Sequence, residues 1–325
     1  MIVAIIAHSF RMIQRIMPVA EQLTTWKIEL ARLCQPYTNS KVCFDIPLSK
    51  QTYFGIGGRA SAYLEVGEID LLVAVARFKN DYRLDTFILG RGSNLLVSDD
   101  GFDGLVIRLV GQLDWLTFEG TSVRAGAGVS QPKLSKAAAR QGLSGVEFVL
   151  GIPGSVGGGL MMNAGAWGSC FSDLVTQIRV VTELGEITEI SADQAKFQYR
   201  QSCLNDYFCI IEAEMRLTES EINVVTQQMQ QLYQQKMETQ PFVVGSAGCM
   251  FKNPEGRSAG RSIDLCGLKG TRIGDAEVSQ IHGNFIVNHG NASAKDVLDL
   301  VELIQLEVKK QQGIDLHLEV KLLGF

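Results

Sequence analysis
From Ile69 to Lys79 the apolar residues Leu71, Leu72, Val75 and Phe78 recur at helical spacing and predict a helix. A short strand, Ala60–Val66, precedes it, and two more, Thr86–Leu89 and Leu105–Leu109, follow. Strands with intervening helix make an α/β layer. Residues 115–128 read as two short strands, and Ser130 caps a helix that begins at Pro132 and ends before Gly142. Ile178–Val181 and Glu186–Ile190 read as a hairpin around Leu184 and Gly185, and Tyr207–Leu217 alternates as a long strand. A glutamine-rich polar helix then runs until Pro241 stops it. Ser293, with Asp296 three residues on, opens a last helix whose buried stripe is Val297, Leu300, Val301, Ile304 and Val308, and Gly313 ends it. The chain closes on an expected strand, with Ile314, Leu316, Leu318, Val320 and Leu322 on one face and Asp315, His317, Glu319 and Lys321 on the other. A helix over residues 18–35, apolar at Val19, Leu23, Trp26, Ile28, Leu30 and Leu33, reads as an appendage.

Glycine interrupts this pattern in two places. FVLGIPGSVGGGLMMNAGAWG, Phe148–Gly168, is too rich in glycine for a stable helix or strand, and too apolar for a solvated linker. Two readings are open: a loop whose N–H groups converge on the diphosphate of a large cofactor, or a set of tight core turns. A second glycine-rich turn upstream, LGRGSNLLVSDDGFDG from Leu89 to Gly104, favours the cofactor. Gly55-x-Gly57-x-x-Ala60 matches a dinucleotide fingerprint on paper, but SKQTY stands where an apolar strand is required and a strand follows where a helix is required. No GxxxxGK[ST] is present.

With 325 residues the chain is long enough for two or three domains, and the composition shift near Leu217 marks a boundary. A net charge of −5 without a basic block argues against nucleic acid or a polybasic membrane patch. The seven cysteines are irregularly spaced without a CxxC pair, and the four histidines are scattered, so neither a disulfide framework nor a metal site is implied. A reducing cytoplasm fits that pattern. The opening MIVAIIAHSF is too short to span a bilayer and lacks a basic leader, and is read as a frayed or mis-started N-terminus.

Six segments then align in order with one family: LGRGSNLLVSDDGFDGLVIRL, GIPGSVGGGLMMNAGAWG, YRQS, GSAGCMFKNP, HGNFIVN and LEVKLLG. Over about Pro47 to Gly324 the chain resembles the bacterial UDP-N-acetylenolpyruvoylglucosamine reductases, the MurB enzymes of peptidoglycan synthesis. The short segment after YRQS resembles the branch without an extra substrate-covering loop. The resemblance implies an α+β protein: a two-domain FAD-binding fold of the PCMH/VAO-like flavoprotein type plus a C-terminal α+β substrate-binding domain. The corresponding divisions are an N-terminal helical arm (1–45), FAD-binding subdomains (46–112 and 113–217) and a substrate-binding domain (218–325). It implies a cytoplasmic enzyme, by family default a monomer, with UDP-N-acetylglucosamine enolpyruvate as substrate and NADPH as reductant. FAD is expected to bind without a covalent tether, since neither glycine loop holds a histidine.

By the same resemblance Gly90, Gly92, Ser93, Asn94, Gly154, Ser155, Gly157, Gly158 and Asn163 surround the FAD. Arg200 in YRQS meets the charge that develops on the substrate carboxylate, and Glu319 sits beside it. Cys249 stands where the family usually has a serine proton donor. A thiol, at an ordinary pKa of about 8.5, is a stronger acid than a serine hydroxyl, so Cys249 is expected to be the donor, with a buried inert cysteine and a donating water as the alternative. Lys252 and Asn253, with Tyr199 and Gln240, are expected at the UDP diphosphate and sugar. His282 and Asn284 line the cleft or serve as structural polar groups. A sugar or aldonolactone oxidase of the same superfamily, or a nucleotide-binding protein without turnover, are the competing readings.

Overall fold
In the computed structural model residues 19–241 and 245–325 are described, without the side chains of 19–24. The MIVAIIAH run and the side chains of Val19 and Leu23 lie outside this set. The first sheet has four strands in the order β1 (Lys41–Pro47), β2 (Arg59–Val66), β5 (Phe102–Leu109), β3 (Thr86–Leu89), with only the β1–β2 pair antiparallel. Helix α1 (Val19–Cys34) is more than an appendage. Its Trp26, Leu30 and Cys34 are buried with Leu71, Leu72, Val75 and Ala76 of α2 (Ile69–Tyr82) and with Leu105 and Ile107 of β5. Residues 41–45, expected in the arm, are the start of β1. That strand escaped notice because neither of its faces is fully buried, so KVCFDIP shows no clean alternation.

The second sheet is antiparallel and five-stranded. Its order is β9 (Ile187–Ser191), β8 (Val175–Val181), β10 (Cys209–Arg216), β7 (Ser122–Gly126), β6 (Leu116–Glu119). Helix α3 (Gln131–Arg140) packs on it, its Ser130 cap accepting from Lys133 N at 3.3 Å. Val181, Cys209 and Ile211 of this sheet pack into the same core as Leu105 and Leu71, so the two sheets are joined by one apolar seam. Burying each such side chain is worth about 1.5–3 kcal/mol. The short helix α4 (Val156–Met161) lies on the second sheet's core.

The third unit begins with α5 (Ile222–Thr239), followed by α6 (Ala259–Leu265), a small sheet of Arg272–Ile273, β11 (Ala276–Val278) and β12 (Ile286–Asn288), and α7 (Ala294–Gln312). The Ser293–Asp296 capping box forms as expected, and Gly313 ends α7 at φ +70°. The closing strand is shorter than its alternation implies. Only Lys321–Leu323 (β13) pairs, parallel to β4 (Leu95–Val97), while 314–320 runs as irregular chain with one bridge, Phe251 to Leu318. Leu316 and Val320 are buried but Leu322 is exposed and Leu323 buried, so the inward face flips where pairing begins. The pairing is what carries the third unit's Glu319 to the glycine turn of the first.

Candidate active site
The turn from Gly90 to Asn94 leaves β3 and enters β4. Its last residue is fixed from the far end of the chain: Asn94 O accepts from Lys321 N at 3.1 Å, and Asn94 Nδ2 donates to Glu319 O at 3.2 Å. Gly92 has φ +65°, and a Cβ there would stand 2.3 Å from Gln51 O. The N–H groups of Arg91, Gly92, Ser93 and Asn94 have no backbone acceptor among the described residues. The second glycine loop differs. Val156 N, Gly157 N and Gly159 N are spent on Val129 O, Ala127 O and Ser155 O, and Gly158 N on Ser155 Oγ. The first turn therefore leaves N–H donors that an anion could use, whereas those of the second are spent within the protein.

Between these turns lies a cavity of about 200 Å³. Gly90, Ser155, Gly157 and Gly158 line it, along with Arg91 and Arg108, which the sequence did not single out. Its walls include the apolar Ile88, Leu89, Val110, Phe208 and Ile210. Cβ atoms at Gly157 and Gly90 would come within 3.0 Å of Ala127 Cβ and 2.7 Å of Ser155 Oγ, so the glycines hold the walls together. Gln131, 2% exposed, holds Ser155 O through Nε2 and leaves Oε1 buried without a partner. Apolar walls, free backbone donors and two arginines fit a flavin with its diphosphate. Gly154 packs on Gln131. Asn163 is not a cavity group. Its amide is consumed by Ser172 Oγ, Ser172 N and Gln198 O, which ties the loop to the YRQS turn. We expect Gly92→Ala to fold yet purify with about tenfold less FAD, because a Cβ costs about 1–2 kcal/mol at that φ and collides with backbone. The ratio of 450 nm to 280 nm absorbance checks it.

YRQS is a tight turn: Gln198 and Gln201 exchange backbone hydrogen bonds, and Arg200 takes φ +56°, rare for a residue with a side chain. That backbone aims the guanidinium inward. Nε donates to Glu319 Oε1 at 2.9 Å, and one Nη donates to Gly165 O at 2.9 Å. The pair is largely shielded, with side-chain exposures of 22% and 15%. The Tyr199 ring lies 5.1 Å from the guanidinium carbon, and its hydroxyl accepts from Asn253 N at 3.4 Å. Lys252 N donates to His317 O, and Asn253 Oδ1 accepts from Ala259 N. Gln240 caps the end of α5. The structure thus joins Tyr199, Arg200, Lys252, Asn253 and Glu319.

Burial pushes the Glu319 carboxyl up from its ordinary value, against the pull of Arg200 and Lys252. Burial also pushes the Cys249 thiol up, to about 12. Glu319 adds to that shift, while Arg200, Lys236 and the neighbouring Asn284 amide oppose it. The expectation of an ordinary thiol pKa is therefore corrected: Cys249 is held more firmly protonated because its thiolate is desolvated. Lys236 was missed, sitting in a glutamine-rich helix that reads as solvated. Its ammonium donates to Gly151 O, and burial lowers it to about 8. His282 is a structural group, its Nδ1 accepting from Asn284 N at 3.1 Å. Among the described residues no group of three or more His, Cys, Asp or Glu is placed to hold a metal.

Comparison with known proteins agrees with this geometry. Residues 240–323 match the family profile described as the UDP-N-acetylenolpyruvoylglucosamine reductase C-terminal domain, and residues 60–191 match that of an FAD binding domain. The UDP-N-acetylenolpyruvoylglucosamine reductase of Bacillus subtilis is 40% identical over 287 residues, which cover 87% of this chain and 94% of that one. That of Synechococcus elongatus is 40% identical over 283 residues, covering 86% and 93%. The crystal structure of UDP-N-acetylenolpyruvylglucosamine reductase (MurB) from Thermus caldophilus superposes with a TM-score of 0.76 at 37% identity, covering 87% of this chain and 99% of that one.

Proposed function
The chain belongs to the UDP-N-acetylenolpyruvoylglucosamine reductase family, and on that premise we propose how its own residues carry the reaction. The enzyme is an FAD-dependent oxidoreductase that reduces UDP-N-acetylglucosamine enolpyruvate to UDP-N-acetylmuramate for peptidoglycan synthesis, with NADPH as co-substrate. FAD, when bound, supplies the hydride chemistry. In our reading the Arg91–Asn94 turn would hold its diphosphate, with the apolar walls and the 154–159 loop around the rest.

The substrate's carboxylate then meets Arg200. Nε and one Nη are committed to Glu319 and Gly165, which locks the guanidinium plane and presents the remaining Nη edge to the substrate. As negative charge builds on the substrate carbon next to the carboxylate, that fixed cation stabilises it without reorganising. Glu319, pushed toward its protonated form, stands beside the same carboxylate as a hydrogen-bond partner. Cys249 gives its proton to the carbon: S–H breaks, C–H forms, and sulfur keeps the electron pair. Lys252, Asn253, Tyr199 and Gln240 hold the diphosphate and sugar. The observation that carries this reading is the Arg200–Glu319 pair, assembled beside the Cys249 thiol from three distant segments.

No described helix is long and apolar enough to cross a membrane. We read the enzyme as a cytoplasmic monomer, since both substrates are water-soluble nucleotides. Light scattering at 35.6 kDa supports that state and a doubled mass refutes it.

The direct test is anaerobic. Flavin absorbance should bleach with NADPH and return with the enolpyruvyl sugar. A protein that takes up no FAD, or stays bleached, overturns the reading. The pH dependence is also expected to be specific. Cys249, raised to about 12, stays protonated through neutrality and well beyond. Lys236, lowered to about 8, is charged below that pH and neutral above it. Re-oxidation by the sugar should therefore decline above about pH 8 as the cation opposite the nascent thiolate is lost. Lys236→Arg should move that limb upward, because a guanidinium stays charged.

A further inference from the structure
Asn284 is 2% exposed, and its amide is turned toward the segment that carries Cys249. Its Oδ1 accepts from Phe251 N at 2.9 Å and its Nδ2 donates to Phe251 O at 2.8 Å, a pairing that mimics a strand partner. Its own carbonyl accepts from Met250 N at 2.7 Å, and Cys249 bridges to Phe285 next door. Met250 O in turn accepts from Glu319 N at 2.9 Å. One buried asparagine thus sets the register of 249–251, and that segment sets the position of Glu319. An asparagine amide has two N–H donors. One is used on Phe251 O, and the amide, as a neighbour of Cys249, favours its thiolate.

We propose that Asn284 is the positioning residue for the Cys249 proton donor, fixing its backbone and giving the second amide N–H to its sulfur. The inference rests on the reading of Cys249 as donor. It answers a problem this chain has made for itself. When the proton leaves, a thiolate remains in a partly buried place beside Glu319, whose carboxylate repels it. The groups facing the sulfur that oppose that cost are Arg200, Lys236 from α5, and the Asn284 amide. The two cations also serve other partners, Glu319 and Gly151. The amide has one N–H left after Phe251 O. A hydrogen bond to the charged form favours it, so Asn284 eases release of the proton that burial holds back.

The test uses the FAD-loaded enzyme and its two half-reactions, followed by stopped flow. In Asn284→Ala, re-oxidation by the enolpyruvyl sugar should slow about tenfold or more, as expected for loss of a hydrogen bond to a charged group. Bleaching by NADPH should stay within about twofold. Iodoacetamide labelling of Cys249 at pH 9, read by mass spectrometry of its peptide, should slow about threefold or more, because less thiolate is present. On a Cys249→Ala background the same substitution should change re-oxidation less than about twofold. Asn284→Asp keeps the volume and the acceptor for Phe251 N but loses both N–H donors, so it carries the same expectations if the alanine variant fails to fold. Faster labelling would mean that the residue merely tightens the loop, and an undiminished effect without Cys249 would mean that it acts elsewhere; either overturns the proposal. Wild-type re-oxidation in Asn284→Ala with slow Cys249→Ala overturns this inference alone, whereas wild-type re-oxidation in Cys249→Ala overturns the donor reading beneath it.

Discussion

Replacing Cys249 with alanine should slow re-oxidation of the NADPH-reduced enzyme by the enolpyruvyl sugar about 10²–10⁴-fold, the usual range for removing a general acid. Reduction by NADPH should be nearly untouched, because that half-reaction needs no proton at the substrate carbon. The two phases separate a proton donor from a residue that only shapes the cleft. Cys249→Ser restores a proton of similar reach, on a weaker acid but with a smaller atom, and should recover appreciable turnover. The desolvation that raises the thiol to about 12 decides which effect wins. It keeps the donor loaded at every physiological pH, and it makes release of the proton the harder half of its task. Full turnover in Cys249→Ala under saturating sugar would sink the donor role.

Arg200 should be almost as costly to lose. On the proposed mechanism Arg200→Ala removes the cation that meets the developing charge, and it strands a shielded Glu319 without its 2.9 Å partner. A preorganised donor at such a place is worth about 10²–10³ in turnover. Arg200→Lys should recover little of it. An ammonium cannot hold Glu319 and Gly165 O while presenting a further edge to a carboxylate, and the φ of +56° was aimed for the planar fork. The loss should fall on kcat for the sugar-dependent phase, with KM moving less. A variant whose KM rises while kcat stays constant would show that Arg200 binds the ground state only.

The chemistry of this site is legible in its motifs to unequal depth. Arg200 and Glu319 are 119 residues apart, and neither periodicity nor charge pattern connects them; only the motif match places both at one carboxylate. Lys236 was hidden by its setting, since a lysine among glutamines on a polar helix ordinarily faces water. Its burial comes from the glycine loop, where Gly151 leaves room for the lysine stem. Asn163 is the opposite case: it lies in a glycine loop but spends its side-chain amide within the protein. Local rules served well where the partner was local. The Ser293 capping box and the stripe of α7 formed as their spacing implied. The closing alternation from Ile314 misled because an inward face can be buried by irregular chain as well as by a sheet, so periodicity reports burial rather than pairing.

The hydrogen bond from Asn94 to the Glu319 carbonyl links residues 225 positions apart. Closing a loop of that length costs about 2 kcal/mol more chain entropy than closing one of about 20 residues. The substrate half of the site is therefore held together by some of the least local contacts among the described residues, which on topological grounds form late. During refolding the two sheets should each acquire secondary structure before the enzyme can turn over. Regain of activity should lag behind regain of circular dichroism, and the interval between them is the time the chain takes to bring Glu319 home.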